Sequence, residues 1–123
     1  MRRALVVDDN DVNRILATRL LGKGGWTVAE ADCGEAALTY LAANAVDLIL
    51  LDVSMPTMSG QEVCRRIRLE KLGGDAVKVV AYTAHAMPEE VASLREGGFD
   101  TVLSKPMSRD RLAATLLELG FST

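Results

Sequence analysis

The sequence predicts an α/β fold in which a parallel sheet carries helices on both faces. Five short apolar runs alternate along the chain with five helix-length segments, most of them opened by a capping residue or a proline and closed by glycine. The run Leu48-Ile49-Leu50-Leu51 is apolar without alternation, which suits a strand covered on both sides. Four of the five runs stop at a chemical group: Asp8-Asp9, Asp52, Thr83 and Lys105. Strictly alternating units of this length join through right-handed crossovers, and those lay helices on both faces of one sheet.

The first strand, residues 4–7, ends at Asp8-Asp9. Asn10 or Asp11 caps a helix to about residue 23, with Val12, Leu16 and Leu20 on one face and Gly24-Gly25 ending it. Residues 27–31 read as the second strand. Residues 35–43 read as the second helix, with Ala36, Leu38, Leu41 and Ala42 as buried candidates. The central strand spans 47–51 and places Asp52 at its carboxyl end, because a carboxylate inside a doubly covered strand would be costly. The next helix start, Ser59, lies seven residues on, too far for Asp52 to cap it.

Ser-Gly-Gln-Glu at 59–62 is a capping box that opens a third helix to about residue 71, with Gly73-Gly74 ending it. A β-branched strand at 77–82 ends at Thr83. Pro88 suits the first turn of a fourth helix, which Gly97-Gly98 closes. Val102 and Leu103 lie in a short fifth strand ending at Lys105-Pro106. Ser108 caps the last helix, which carries Leu112, Leu116, Leu117 and Leu119 and stops at Gly120.

Composition narrows the function. With 123 residues, 49% of them hydrophobic, the chain makes one domain with a real core. The net charge of −3, from 14 basic against 17 acidic residues with no basic block, gives no electrostatic support for binding nucleic acid or an anionic membrane. No apolar run reaches the length of a membrane span. The apolar stretch after Met1-Arg2-Arg3 is too short for a signal-peptide core. Cys33 and Cys64 have neither disulfide-framework nor zinc-site spacing, so a reducing cytoplasm is the expected location. One domain over 1–123 is expected, with no output domain after Gly120.

In open parallel sheets ligands bind beyond the carboxyl ends of the strands. Asp8, Asp9 and Asp52 converging there would repel one another unless a cation neutralised them. Mg²⁺ suits such a site, because it takes oxygen ligands, keeps several waters and needs only one or two carboxylates plus a phosphate oxygen; Mn²⁺ is the alternative. Thr83 and Lys105 on the far side suggest an anionic group between them and the metal. Those are the parts that phosphoryl transfer asks for, and a carboxylate can be the nucleophile, giving an aspartyl phosphate.

These residues resemble the receiver domain of two-component response regulators over nearly the whole chain. The resemblance is carried by Val7-Asp8-Asp9-Asn10, by Asp52 with Met55-Pro56, Met58 and Gly60, by Thr83-Ala84 and by Lys105-Pro106. The Asp-Asp-Asn-x-x-Asn-Arg, Thr-Ala-His-Ala-Met and Gly-Phe-Asp segments look most like receivers of hybrid histidine kinases or single-domain phosphorelay receivers. The resemblance implies a flavodoxin-like sheet of order 2-1-3-4-5 and a phosphoryl group accepted on Asp52 from a partner phosphohistidine. That partner is a histidine kinase or histidine phosphotransfer protein. It further implies metal binding by Asp8, Asp9, Asp52 and the backbone carbonyl of Ser54, and phosphoryl contacts from Thr83, Ala84 and Lys105. A cis peptide before Pro106, an influence of Ser54 and His85 on phosphate lifetime, and a partner surface around Asn10 and Asn13 complete the expectation. Such a domain is no enzyme beyond catalysing its own phosphorylation and slow dephosphorylation. One position departs from the family. Receivers often carry Tyr or Phe three residues before the Lys, where this chain has Val102, and this speaks against a Thr-to-aromatic relay.

Three other readings compete. Residues 9–13 mimic the start of an EF-hand loop, but the Gly and Glu that loop needs fall at Arg14 and Leu20. The same stretch resembles the Asp-x-Asp motif of haloacid-dehalogenase phosphatases, with Asp9 as nucleophile and Asp11 as acid, although the sequence lacks that family's late acidic pair. A binding module that keeps the fold but works unphosphorylated is the third.

Overall fold

The structure is a computed structural model and describes residues 2–84 and 86–121. Its elements are β1 (Arg3–Val7), α1 (Asp11–Lys23), β2 (Thr27–Ala31), α2 (Gly34–Ala43), β3 (Leu48–Asp52), α3 (Gly60–Glu70), β4 (Lys78–Thr83), α4 (Pro88–Glu96), β5 (Thr101–Ser104) and α5 (Arg109–Glu118). The strands form one parallel sheet in the order β2-β1-β3-β4-β5, as the resemblance implied.

Side chains alternate across the sheet and divide the core in two. Leu5 and Val7, Ile49 and Leu51, and Val79 and Ala81 face Ala37, Leu38 and Leu41 of α2, Val63, Cys64 and Ile67 of α3, and Leu94 of α4. Ala4 and Val6, Leu48 and Leu50, and Val80 and Tyr82 face Ala17 and Leu21 of α1 and Leu112 and Leu116 of α5. Every residue of β3 is buried. The strand is apolar on both faces because each face has its own helical layer.

Caps set the helix starts. Asn10, Ser59 and Ser108 each accept a hydrogen bond from the backbone N–H three residues on. Cys33 does the same for α2 through its sulfur, a cap not expected from the sequence.

Several expected faces shift. In α1 the buried residues are Ala17 and Leu21, while Val12 is 75% and Leu16 38% exposed. Ala17 and Leu21 join the core against the sheet, which turns Val12 and Leu16 outward. In α2 the buried alanine is Ala37, and Ala36 and Ala42 are exposed. Leu117 of α5 points to solvent. α3 stops at Glu70 because Lys71 takes the left-handed conformation (φ 52°), ahead of the glycine pair expected to end it.

Gly60 fixes the height of α3 on the sheet. Its N–H donates to the Val53 carbonyl at 3.0 Å, and a Cβ there would stand 2.3 Å from the Asp52 carbonyl oxygen and 2.8 Å from Val53 Cα. α3 therefore rests directly on the backbone that carries Asp52. Gly60→Ala is expected to cost about 1–3 kcal/mol of stability through overpacking. Gly22→Ala is the control, since Gly22 lies in α1 with nothing within 4 Å of an added Cβ; it should gain about 0.5–1 kcal/mol. Urea unfolding of the two variants should show opposite signs.

Candidate functional site

The carboxyl ends of β1, β3, β4 and β5 meet above the sheet. Asp52 is the last residue of β3 and is only 2% exposed. Its Oδ1 accepts from the Ser54 N–H at 3.2 Å and from Lys105 Nζ at 3.2 Å. Asp8 follows β1 directly and is fully buried. Its Oδ1 accepts from the Asn10 N–H at 2.9 Å, whereas its Oδ2, equally buried, has no hydrogen-bond partner and lies 3.8 Å from Lys105 Nζ. Asp9 is exposed beside them, and one carboxylate oxygen from each of Asp8, Asp9 and Asp52 lies within 4.8 Å of the others.

Lys105 reaches in from the loop after β5. Its N–H donates to the Thr83 carbonyl at 2.7 Å, the Lys105–Pro106 peptide is cis, and its ammonium sits 5.0 Å from the centre of the Tyr82 ring. Tyr82 Oη accepts from the Met107 N–H at 3.2 Å, so this buried ring braces the turn from below. Burial pushes the Tyr82 hydroxyl above its ordinary pKa. Thr83 ends β4, is 8% exposed and pairs in register with Ser104. Ala84, the next residue, is exposed, as is Ser54 two residues after Asp52. His85 lies outside the described residues.

Burial is the largest influence on Asp52 and pushes its carboxyl up to about 6. The charge of Asp8 adds to this, and Lys105 pulls the other way without overcoming it. The cluster is thus a set of oxygens with more negative charge than its one ammonium can neutralise, and it offers an unpartnered buried oxygen. Oxygen-only donors of this kind suit a hard divalent cation rather than a softer ion that prefers nitrogen or sulfur.

The structure brings together Asp8, Asp9, Asp52 and Lys105, with Thr83 tied to Lys105 through the backbone. Asn10 serves as the α1 cap, and Asn13 donates its N–H to it on an exposed helix end. The rival assignments of residues 9–13 lose their geometry. Residues from Asp11 onward are helical, so no EF-hand loop forms. The Asp11 carboxylate is 77% exposed and paired with Arg14 at 2.5 Å, away from the acid's role that the phosphatase reading needs. The sequence reading missed two residues, Tyr82 and Arg14. An apolar-looking strand position hides Tyr82, and Arg14 showed only as one letter of a motif.

The family described as the response regulator receiver domain matches residues 4–117. The sensor histidine kinase RcsC of Salmonella typhi is 43% identical over 112 residues, 91% of this chain and 12% of that protein. The sensor protein GacS of Pseudomonas syringae is 39% identical over 118 residues, 94% of this chain and 13% of that protein. This chain thus spans about an eighth of those kinases, whereas it covers 92% of the two-component response regulator ORR41 of Oryza sativa, at 38% identity over 120 residues. Among solved structures, the chemotaxis protein CheY4 of Vibrio cholerae superposes with a TM-score of 0.89 at 28% identity, covering 97% of this chain and 98% of that one. The receiver domain of a histidine kinase from Syntrophus aciditrophicus gives 0.83 at 27% identity, covering 97% and 89%.

The raised Asp52 carboxyl has a stability consequence without added metal. The folded protein holds this proton more tightly than the unfolded chain does. Burying the carboxyl is therefore free of charge cost below its ordinary value of 3.8, grows costly as pH rises to about 6, and is fully costly above. A shift of this size corresponds to roughly 3 kcal/mol. In EDTA, Asp52→Asn should be more stable than wild type by roughly 1–3 kcal/mol at pH 8, and the gain should fade toward pH 4. Urea unfolding at several pH values measures it.

Proposed function

The chain belongs to the response regulator receiver domain family of two-component signalling, and we propose that Asp52 is its phosphoacceptor. The group comes from a phosphohistidine on a histidine kinase or histidine phosphotransfer protein. The observation that carries this reading is the buried Asp52 held by the Lys105 ammonium beside the unpartnered Asp8 Oδ2.

A carboxylate oxygen of Asp52 attacks phosphorus, the bond from phosphorus to the donor imidazole breaks, and the imidazole leaves as the acyl phosphate forms. Asp8, Asp9, Asp52 and the Ser54 carbonyl would hold Mg²⁺, or Mn²⁺, which supplies positive charge to the phosphoryl oxygens when bound. Lys105 stabilises a phosphoryl oxygen from the other side and exchanges its bond to Asp52 for one to the product. Thr83 donates its hydroxyl to a second oxygen, and the Ala84 N–H lies next in the chain for the third. The Ser54 N–H keeps the Asp52 carboxylate in orientation. Ser54 lies two residues after the acceptor and His85 two after Thr83, and both set how readily water reaches the acyl phosphate. The domain promotes this single transfer and its slow hydrolysis rather than many turnovers of a free substrate, in the cytoplasm.

Transmission across the last two helices is weak in this chain. Val102 is small and β-branched with little rotamer freedom, and it packs partly buried against the core. Arg95 of α4 donates to Thr101 Oγ1 at 3.1 Å and pairs with Glu118 of α5 at 3.3 Å, while Thr101 Oγ1 also donates to Glu118 at 3.1 Å. This ties α4, β5 and α5 together. The donor approaches Asp52 past Asn10, Asn13 and Pro106, all at the site end of the sheet.

Intact mass after acetyl phosphate and Mg²⁺ is expected to rise by one phosphoryl group in wild type and not in Asp52→Asn. With a phosphohistidine donor, Asn13→Lys should slow transfer more than Arg111→Glu on α5 does. Sustained aryl phosphate hydrolysis that survives Asp52→Asn would overturn the proposal in favour of a phosphatase working through Asp9.

A further inference from the structure

Arg14 lies one turn into α1, is absent from the acidic cluster, and yet holds its frame. Its side chain is 15% exposed and makes three bonds to three segments. Nη1 donates to the Asp8 backbone carbonyl at 2.7 Å, Nε to Glu30 at the end of β2 at 3.2 Å, and Nη2 to Asp11 at 2.5 Å. The first of these completes the restraint of Asp8. The Asp8 N–H donates to the Ala31 carbonyl at 3.1 Å, its carbonyl accepts from Arg14, and its Oδ1 accepts from the Asn10 N–H. Only Oδ2 is left without a hydrogen-bond partner, and it lies 3.8 Å from Lys105 Nζ.

We propose that Arg14 is a positioning residue for the divalent-cation site, clamping the Asp8 carbonyl so that the β1–α1 turn presents the Asp8 and Asp9 oxygens in fixed geometry. The inference rests on the cation-binding reading above. Groups that hold metal ligands in place from behind commonly tune affinity by ten- to hundredfold. A planar guanidinium suits this task better than an ammonium, because its donors point in fixed directions and reach three acceptors at once. Its charge does not oppose the cation as a bare cation would, since Glu30 and Asp11 both pair with it.

The two roles that Arg14 could play have opposite signs, which makes the test sharp. As a nearby positive charge alone, Arg14 would weaken binding of a dication, and its removal would tighten it. As a clamp, its removal loosens the turn and weakens binding. Calorimetric titration with MgCl₂ alone, on wild type, Arg14→Met, Arg14→Lys and Asp9→Asn, separates them, with circular dichroism checking that each variant is folded. The expected result is a ten- to hundredfold weaker Kd in Arg14→Met and a smaller but clear loss in Arg14→Lys, which keeps the charge without the fork. A second readout is amide exchange in the metal-free protein, where the Asn10 N–H should exchange faster in Arg14→Met than in wild type. If Arg14→Met does not fold, Arg14→Lys decides the matter. Unchanged or tighter binding in the folded Arg14 variants, with Asp9→Asn still abolishing it, overturns the clamp and leaves the cation reading intact. Wild-type affinity in Asp9→Asn would overturn both.

Discussion

Two buried carboxylates, Asp8 and Asp52, face each other with one ammonium between them, and the site's remaining structure exists to hold that arrangement. Left to themselves the two would separate or take up a proton, because burying like charges in a poorly polarisable interior is unfavourable. Asp52 does so in part, its carboxyl lifted to about 6 by burial and by Asp8. Lys105 offsets the repulsion, and in the proposed transfer it exchanges its bond to Asp52 for one to the phosphoryl group. The repulsion is thus a feature of the resting state, relieved when positive charge enters.

The fold supplies rigidity where the electrostatics would spread the groups apart. Asp52 ends a strand that is buried along its whole length and paired on both sides. Gly60 brings α3 down onto the Asp52 carbonyl, so the strand end has no room to lift. On the far side, the Lys105 turn is anchored to Thr83 by a backbone bond and braced by Tyr82 through Met107. Asp8 is held at its amide, its carbonyl and one carboxylate oxygen. Asp8, Asp52 and Lys105 are therefore fixed through backbone bonds, which lose little when the side-chain charges change. This is what preorganisation requires of a site for charge transfer.

Much of this was legible in the sequence, and for identifiable reasons. The apolar run before Asp52 is readable because a strand covered on both faces needs no alternation. The strand-end groups are readable because parallel sheets place their ligands at one edge. Ser59 and Ser108 announce their helices by side-chain chemistry that acts over three residues. The illegible parts depend on contacts distant in sequence or on a backbone conformation that no residue type announces. The buried face of α1 runs through Ala17 and Leu21, packed against the sheet, and the apolar spacing of Val12 and Leu16 pointed elsewhere. The end of α3 depended on Lys71 adopting a left-handed conformation before any glycine. Arg14 and Tyr82 act on backbone groups six and 25 residues away, and nothing in their own neighbourhood marks them.

The central claim is that the fold holds Asp8 and Asp52 together against their repulsion so that a divalent cation can relieve it. Thermal unfolding of wild type and Asp8→Asn across a MgCl₂ titration at pH 8 tests it most directly, since the substitution keeps the Oδ1 acceptor for Asn10 and exchanges the charged Oδ2 for a neutral NH2. The expected result is a crossing: Asp8→Asn melts higher than wild type in EDTA, and wild type overtakes it as Mg²⁺ stabilises the native protein by mass action. A wild-type Tm indifferent to Mg²⁺, or an Asp8→Asn variant less stable than wild type in EDTA, would contradict it.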